Sequence, residues 1–132
     1  MSTGSVCLRF RHPTQDLNFL TSTLELPSLN SWVAGAPRKT HTGEPLSGVN
    51  RQSFWVSAVD FSSKEGFVEP FMQVVDKLIQ SKKSVDDIIH SGGSSSIYIQ
   101  LTGSKNNGGT IKFETLKVLG ELGVDLEIEV FP

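Results

Sequence analysis

The C-terminal residues 110–131 constrain the fold most strongly, because their hydrophobic spacing changes from helical to strand-like across one junction. The first part carries leucines at three-residue spacing on one helical face: Leu116, Leu119 and Leu122. Gly123 follows where a residue in the left-handed conformation would end the helix. Beyond it, apolar and acidic side chains alternate: Leu126, Ile128 and Val130 with Asp125, Glu127 and Glu129. The pattern predicts a helix followed by an antiparallel-type strand with one buried face.

The N-terminal segment shows the same two-residue period. Its apolar positions are Val6, Leu8 and Phe10, and they alternate with Cys7, Arg9 and Arg11. If this strand lies beside the C-terminal one, arginines face glutamates across the ladder. We state that pairing as a hypothesis.

The bulk composition limits the class of protein. The chain has 132 residues, a net charge of −2 and a single cysteine, Cys7. We therefore expect one domain over residues 1–132 and no internal disulfide, and the charge makes nucleic-acid binding an unfavourable interpretation. No signal peptide and no apolar run near the roughly 20 residues of a membrane span are present. A cytoplasmic location without membrane association is expected.

The middle of the chain alternates between helical and strand patterns. A short helix is predicted from Pro13 to about Leu24, and residues 28–52 read as a long loop or open hairpin. Ser62 and Glu65 have capping-box spacing before the longest helix. A break near Ser81, a second short helix ending at His90 and a strand over residues 97–102 follow. The order predicts an α+β fold, a mainly antiparallel sheet of about four to five strands with helices on one face.

The segment 53–61 is a strand candidate with apolar side chains in both alternation phases. Phe54, Val56 and Ala58 form one phase, and Trp55, Val59 and Phe61 form the other. Both faces therefore need cover, which either the irregular segment 28–52 or a partner chain would supply.

Motifs for nucleotide binding, metal binding and catalysis are weak or absent. Residues 103–110 are glycine-rich, but Lys105 precedes the glycines that it should follow in a phosphate loop, so a flexible turn is expected. The three histidines, His12, His41 and His90, lack zinc-ligand spacing. Cys7 lies on the polar phase of an edge-like strand, where a packed or half-exposed thiol is expected. We predict no metal, no cofactor and no catalytic residue.

The strongest candidate site combines cations with two tryptophans in and beside the irregular segment. Its members are Trp32, Arg38, Lys39, His41, Arg51 and Trp55. Cations beside indole rings could hold a carboxylate, a phosphate or an acidic partner surface. The alternative is that both tryptophans pack against the sheet and the charges are merely solvated.

Four features of the chain are found together: the N-terminal strand and short helix, the Trp32 to Gly35 turn with Arg38 and Lys39, the approach over residues 48–55, and residues 119–128. Together they resemble the bacterial domain of unknown function family 4279. The resemblance covers nearly the whole chain, but the Asn-Gly-Gly connection stands where a more proline-containing approach to the last helix is expected. It implies a compact α+β domain of the bacterial cytoplasm, with no assigned activity, substrate or site residue.

Three functions remain open at this point. The leading hypothesis is a non-enzymatic binding module, an accessory or immunity-like protein, that uses the aromatic and basic surface over residues 32–55. The second is an enzyme or small-ligand protein whose site forms only in the fold, for example a pocket joining His41 or His90 to Asp60 or Glu69. The third is a structural homodimer formed through the phase that contains Trp55.

Overall fold

The longest strands of this chain are the apolar segments that the alternation predicts, and they assemble into one five-stranded sheet. A computed structural model describes residues 4–62, 64–103 and 108–131. In chain order the elements are β1 (Gly4–His12), α1 (Leu20–Leu24), β2 (Asn30–Trp32), β3 (Pro37–Lys39), β4 (Pro45–Val49), β5 (Ser53–Phe61), α2 (Val68–Gln80), α3 (Lys82–His90), β6 (Ser94–Thr102), α4 (Phe113–Leu122) and β7 (Val124–Phe131).

The main sheet has the strand order β2-β5-β1-β6-β7, and β3 and β4 form a separate hairpin. The pairs within β2, β5, β1 and β6 are antiparallel, whereas β6 and β7 are parallel. The expectation of an antiparallel C-terminal strand is therefore wrong. Its physical reason is α4, because a helix between two consecutive strands returns the chain to the same end of the sheet.

The proposed pairing of the first and last strands is also wrong. β6 lies between β1 and β7, so the arginines of β1 do not face the glutamates of β7 directly. Instead, the hydroxyl of Tyr98 on β6 donates a 2.7 Å hydrogen bond to Glu129 on β7. β1 is the central strand rather than an edge, and Cys7 is buried at 8% exposure.

The core lies between one face of the sheet and the helices, which confirms the predicted α+β class. Alternate residues of β1, β5 and β6 point into it, and the helices supply its other side. The largest fully buried side chains are Trp55, Phe10, Phe71, Leu8, Leu17, Leu20, Leu24 and Leu78. The helices α2, α3 and α4 contact the sheet strands or each other, so this face of the sheet is covered.

The first helix is shorter than predicted and begins at Leu20. The segment before it forms two turns: Nδ1 of His12 accepts hydrogen bonds from the backbone N–H groups of Thr14 and Gln15, and the Asp16 carboxylate accepts one from that of Asn18. Nε2 of His12 lies 2.8 Å from the hydroxyl of Ser91. The leucines of this segment, Leu17, Leu20 and Leu24, are buried in the core.

The capping pattern of Ser62 and Glu65 forms, although not at a helix start. The Ser62 hydroxyl donates a 2.9 Å hydrogen bond to the Glu65 carboxylate, and α2 begins only at Val68. The side-chain and backbone hydrogen bonds from Ser62 lower the pKa of the Glu65 carboxyl. Gly66, at a φ of 77°, separates this turn from the helix.

The break near Ser81 and the short helix ending at His90 are confirmed, and that helix starts at Lys82. In α4 the predicted leucine face is only partly correct. Leu119 and Leu122 are buried, whereas Leu116 is 47% exposed and Thr115 takes the inward position. A strict three-residue spacing drifts around a helix of 3.6 residues per turn, and this drift carries Leu116 off the buried face.

The final strand departs furthest from expectation. Leu126 is partly buried against the core, but Ile128 and Val130 are 55% and 66% exposed. β7 is an edge strand, and α4 has 10 residues, too few at the helical rise to cover a strand of eight. The predicted buried face therefore ends after Leu126.

Candidate functional site

The irregular segment 28–52 contains β2 and the β3–β4 hairpin, the second of the two predicted alternatives, and β2 attaches it to the free side of β5. β2 pairs with β5 through Asn30, Ser31 and Trp32. Beyond β2, the backbone groups of Gly35 and Ala36 exchange 2.9 Å hydrogen bonds with Asn50 and close the base of the β3–β4 hairpin. This attachment holds the hairpin beside the sheet face that the helices leave open.

Trp32 is the exposed aromatic residue of this site. Its ring stacks on that of Phe54, with centroids 4.5 Å apart and an interplanar angle of 27°. Trp32 remains 39% exposed, while Phe54 is 9% exposed. The stack therefore covers Phe54 and presents one indole face to solvent.

Two arginines of β1 lie on aromatic rings of the same open sheet face. The guanidinium carbon of Arg11 is 5.0 Å from the Phe54 ring centroid, and that of Arg9 is 4.2 Å from the Tyr98 ring centroid. The sequence interpretation missed both, because it considered cations only within residues 32–55. The alternation of β1 was the available signal, since it placed these arginines opposite the core phase.

Trp32 also forms a wall common to two surface clefts. The first has a volume of about 450 Å³ and includes Lys39, Thr40 and His41 among its lining residues. The second, of about 640 Å³, is lined by Trp32, Arg38, Ser47, Gly48, Val49, Asn50, Arg51 and Gln52. Among the described residues that line the two clefts there is no carboxylate.

Five of the six predicted site residues lie at these clefts. Trp32 borders both, Lys39 and His41 line the first, and Arg38 and Arg51 line the second. Trp55 lies elsewhere, since it points into the core with 0% exposure. Its indole Nε1 donates a 3.1 Å hydrogen bond to the hydroxyl of Thr21, and its ring meets Phe10 edge-on.

Residues named in two other sequence hypotheses lie away from these clefts. The strand phase containing Trp55 and Phe61 faces the helices of its own chain, and both side chains are buried. Asp60 lines a separate depression with Gly4, Ser5, Gln100 and Thr102, and no histidine lines it.

The arginines on this side of the sheet form no ion pair among the described residues. Within the described ranges, the ion pairs all use lysines, and none involves Arg9, Arg11, Arg38 or Arg51, the four arginines of the chain. Arg38 donates a 3.1 Å hydrogen bond to the backbone carbonyl of Ser47, which orients it along the second cleft. We call the set Arg11, Trp32, Arg38, Arg51 and Phe54 the Trp32 surface.

The remaining motifs give no second site. Residues 104–107 of the glycine-rich connection, including Lys105, lie outside the described residues. Where the structure describes the chain, no group of three or more His, Cys, Asp or Glu side chains is placed to hold a metal ion. In the same ranges no helix combines the length and apolar character of a membrane span.

The protein is an α+β domain with a five-stranded mixed sheet, which has helices on one face and exposed arginine and tryptophan side chains on the other. The profile of the family described as "Domain of unknown function (DUF4279)" matches residues 2–131. The chain belongs to that family, and the resemblance found in the sequence is confirmed. No curated protein and no solved structure matches the chain significantly.

Proposed function

We propose that this protein is a non-enzymatic binding module that holds an acidic protein surface against the Trp32 surface. The observation that carries the proposal is the exposed Trp32 ring, set among arginines that have no carboxylate partner in the described structure. Tryptophan and arginine are the residue types that dominate binding energy at protein interfaces. Guanidinium groups pair with carboxylates in a bidentate way, which favours an acidic partner.

The rigid position of Trp32 on the Phe54 ring supports this proposal. Trp32 is held by the flat contact with Phe54 and by the pairing of β2 with β5, so little conformational freedom is lost on binding. Arg11 is likewise half-buried over Phe54. A rigid aromatic centre with cations around it is the arrangement expected of an interface hot spot.

One observation favours a second candidate function, the binding of a small anion. The first cleft, at about 450 Å³, has the size of small-ligand pockets and places Lys39 and His41 beside the indole of Trp32. A phosphate or carboxylate there would contact the cations of the first cleft rather than the arginines of the second. Substitutions in each cleft therefore distinguish the two functions.

The proposal also includes the setting of the protein. We place it in the bacterial cytoplasm as an accessory or immunity-like protein. A single buried cysteine suits a reducing compartment, and a net charge of −2 with a local cationic surface suits selective rather than general attraction of acidic partners.

The test is a fluorescence titration of the purified protein with poly-L-glutamate, read through Trp32. The variant Arg38→Glu/Arg51→Glu should weaken binding by at least about tenfold, because both cations of the second cleft become repulsive. Lys64→Glu/Lys112→Glu makes the same charge change at exposed positions away from the Trp32 surface and should bind as the native chain does.

Two results would change the conclusion. Equal binding by the native chain and the Arg38→Glu/Arg51→Glu variant would overturn the acidic-partner proposal. Loss of inorganic phosphate binding in Lys39→Ala/His41→Ala, with poly-L-glutamate binding by the native chain absent, would favour the small-anion function instead.

A further inference from the structure

The open sheet face carries a second charged feature, at the side opposite the Trp32 surface. Asp125, Glu127 and Glu129 of β7 are exposed, and we call them the acidic stripe. In the ladder they pair with Ser96, Tyr98 and Gln100 of β6. Those residues pair in turn with Arg9, Cys7 and Ser5 of β1, on the face opposite the core. Paired residues share a sheet face, so the acidic stripe points the same way as Arg11, Phe54 and Trp32.

We propose that the acidic partner of the Trp32 surface is a second copy of this chain, which docks its acidic stripe there. This inference rests on the proposed function, since it names the partner of that same site. Both halves of the complementary contact are present in one molecule. Within the described residues, the stripe carboxylates form no ion pair, and neither do the arginines of the Trp32 surface.

The sheet order makes the contact reciprocal. The acidic stripe lies on the edge strand β7, and Trp32 and Phe54 lie on β2 and β5 at the other side. We consider two copies whose open sheet faces are stacked, with a two-fold axis between them above the middle of the sheet. Rotation about this axis places the β7 side of one copy opposite the β2 side of the other. Each acidic stripe then meets the other copy's Trp32 surface, and the same pair of contacts forms twice.

The face is large enough for such a dimer. Five strands spaced about 4.8 Å apart, of which β2 has three residues, β7 eight and the others nine each, present roughly 600 Å². Specific interfaces bury about 600 to 1,000 Å² on each partner. The whole open face would therefore be used, including the half-buried Tyr98 and Ala58 between the two charged features.

Edge-to-edge pairing through β7 is the competing way for two copies to associate, and the same charges oppose it. Pairing two β7 strands places the exposed Asp125, Glu127 and Glu129 of one copy beside those of the other, and like charges across a ladder are destabilising. Edge charges are a common protection against this association. The stripe thus favours a face-to-face contact with cations.

The test is sedimentation velocity of the full chain over a range of concentrations and at two salt concentrations. The native protein should dimerise, and the dimer should weaken as salt rises. Asp125→Lys/Glu127→Lys and Arg38→Glu/Arg51→Glu should each raise the dimer dissociation constant by at least about tenfold. Asp76→Lys/Glu69→Lys, which reverses two exposed carboxylates on α2, should leave it unchanged.

The decisive step mixes the two site variants in equal amounts. In the mixed dimer the new lysines face the new glutamates at one contact, and the native pair remains at the other, so association should return to the native level. A native protein that stays monomeric at high concentration, or mixed variants that do not associate, would overturn the second copy as the partner. Binding of poly-L-glutamate that still depends on Arg38 and Arg51 would in that case leave the proposed function standing.

Discussion

Trp32 covers the ring of Phe54, with their centroids 4.5 Å apart, and this contact explains why β5 can be apolar in both alternation phases. One phase packs under the helices, and the other places Phe54 and Val56 in a small second cluster on the open face. The hairpin strand β2 brings Trp32 over that cluster. The apolar second face of β5 therefore supports an exposed aromatic residue among cations.

Anionic quenchers should quench the fluorescence of Trp32 more strongly than cationic ones. Trp55 is fully buried, so quenching by ions reports Trp32, and the neighbouring arginines raise the local iodide concentration and lower that of caesium. At equal ionic strength, we expect the iodide Stern–Volmer constant to exceed that of caesium by at least about twofold.

The control for this measurement is a reversal of the local charge. In Arg38→Glu/Arg51→Glu the order of the two quenchers should reverse, whereas Lys64→Glu/Lys112→Glu should keep the native order. Equal quenching by both ions in the native chain would show that the arginines do not create a positive potential at Trp32.

The sequence predicted the elements of this surface better than their arrangement. Alternation within a strand is local, so β1, β5 and the division of β5 into two apolar phases could be predicted directly. Which strands pair depends on long-range contacts. For that reason the sequence did not predict that β6 pairs with β7 in parallel, or that β6 separates Arg9 from the glutamates of β7. Trp55 was assigned to the site because the alternation separates the two apolar phases of β5 but does not show which of them faces the helices.

The pKa of Tyr98 should lie above its usual value of about 10. Its hydrogen bond to Glu129 is the main cause, with burial and the carboxylate charge adding to it and Arg9 opposing it. Tyr98 is the only tyrosine, so the ultraviolet absorbance of tyrosinate follows this group alone. Glu129→Gln should lower the pKa of Tyr98. Glu127→Gln removes a charge but no hydrogen bond, so most of the upward shift of the Tyr98 pKa should remain.

The same shift has a defined effect on stability. A folded-state pKa above the unfolded one means that the folded protein holds this proton more tightly. The contribution of Tyr98 to stability is therefore complete below the unfolded pKa and is lost as pH rises through the folded pKa. Urea unfolding at alkaline pH should show a smaller loss of stability in Glu129→Gln than in the native chain.

Two helices end at a residue in the left-handed conformation, and one of these residues is a glutamate whereas the other is a glycine. Glu25 after α1 has a φ of 54°, and Gly123 after α4 has a φ of 76°. Glu25→Gly should stabilise the protein by about 0.5 to 1 kcal/mol, because glycine adopts this region without strain. The exposed Glu25 contact with Lys77, at 3.9 Å, offsets only a small part of that gain.

Gly123→Ala provides the opposite comparison. An added Cβ would meet Ile89 at 3.4 Å, an ordinary contact, so the cost of about 1 kcal/mol comes from the backbone. Urea denaturation measures the change in the free energy of unfolding for both variants, and unchanged m-values show that only stability differs. Loss of stability in Glu25→Gly would show that the left-handed residue after α1 carries no strain.

The two tryptophans should separate stability from binding. Trp55→Ala removes a fully buried ring, its contact with Phe10 and its hydrogen bond to Thr21, and should cost about 3 to 5 kcal/mol. Trp32→Ala removes an exposed ring whose main contact is Phe54, and should cost about 1 to 2 kcal/mol. Binding of poly-L-glutamate, measured by isothermal titration calorimetry at a temperature where both variants are folded, should be lost in Trp32→Ala and retained in Trp55→Phe, which preserves a buried aromatic ring. The reverse result would place the binding surface away from Trp32.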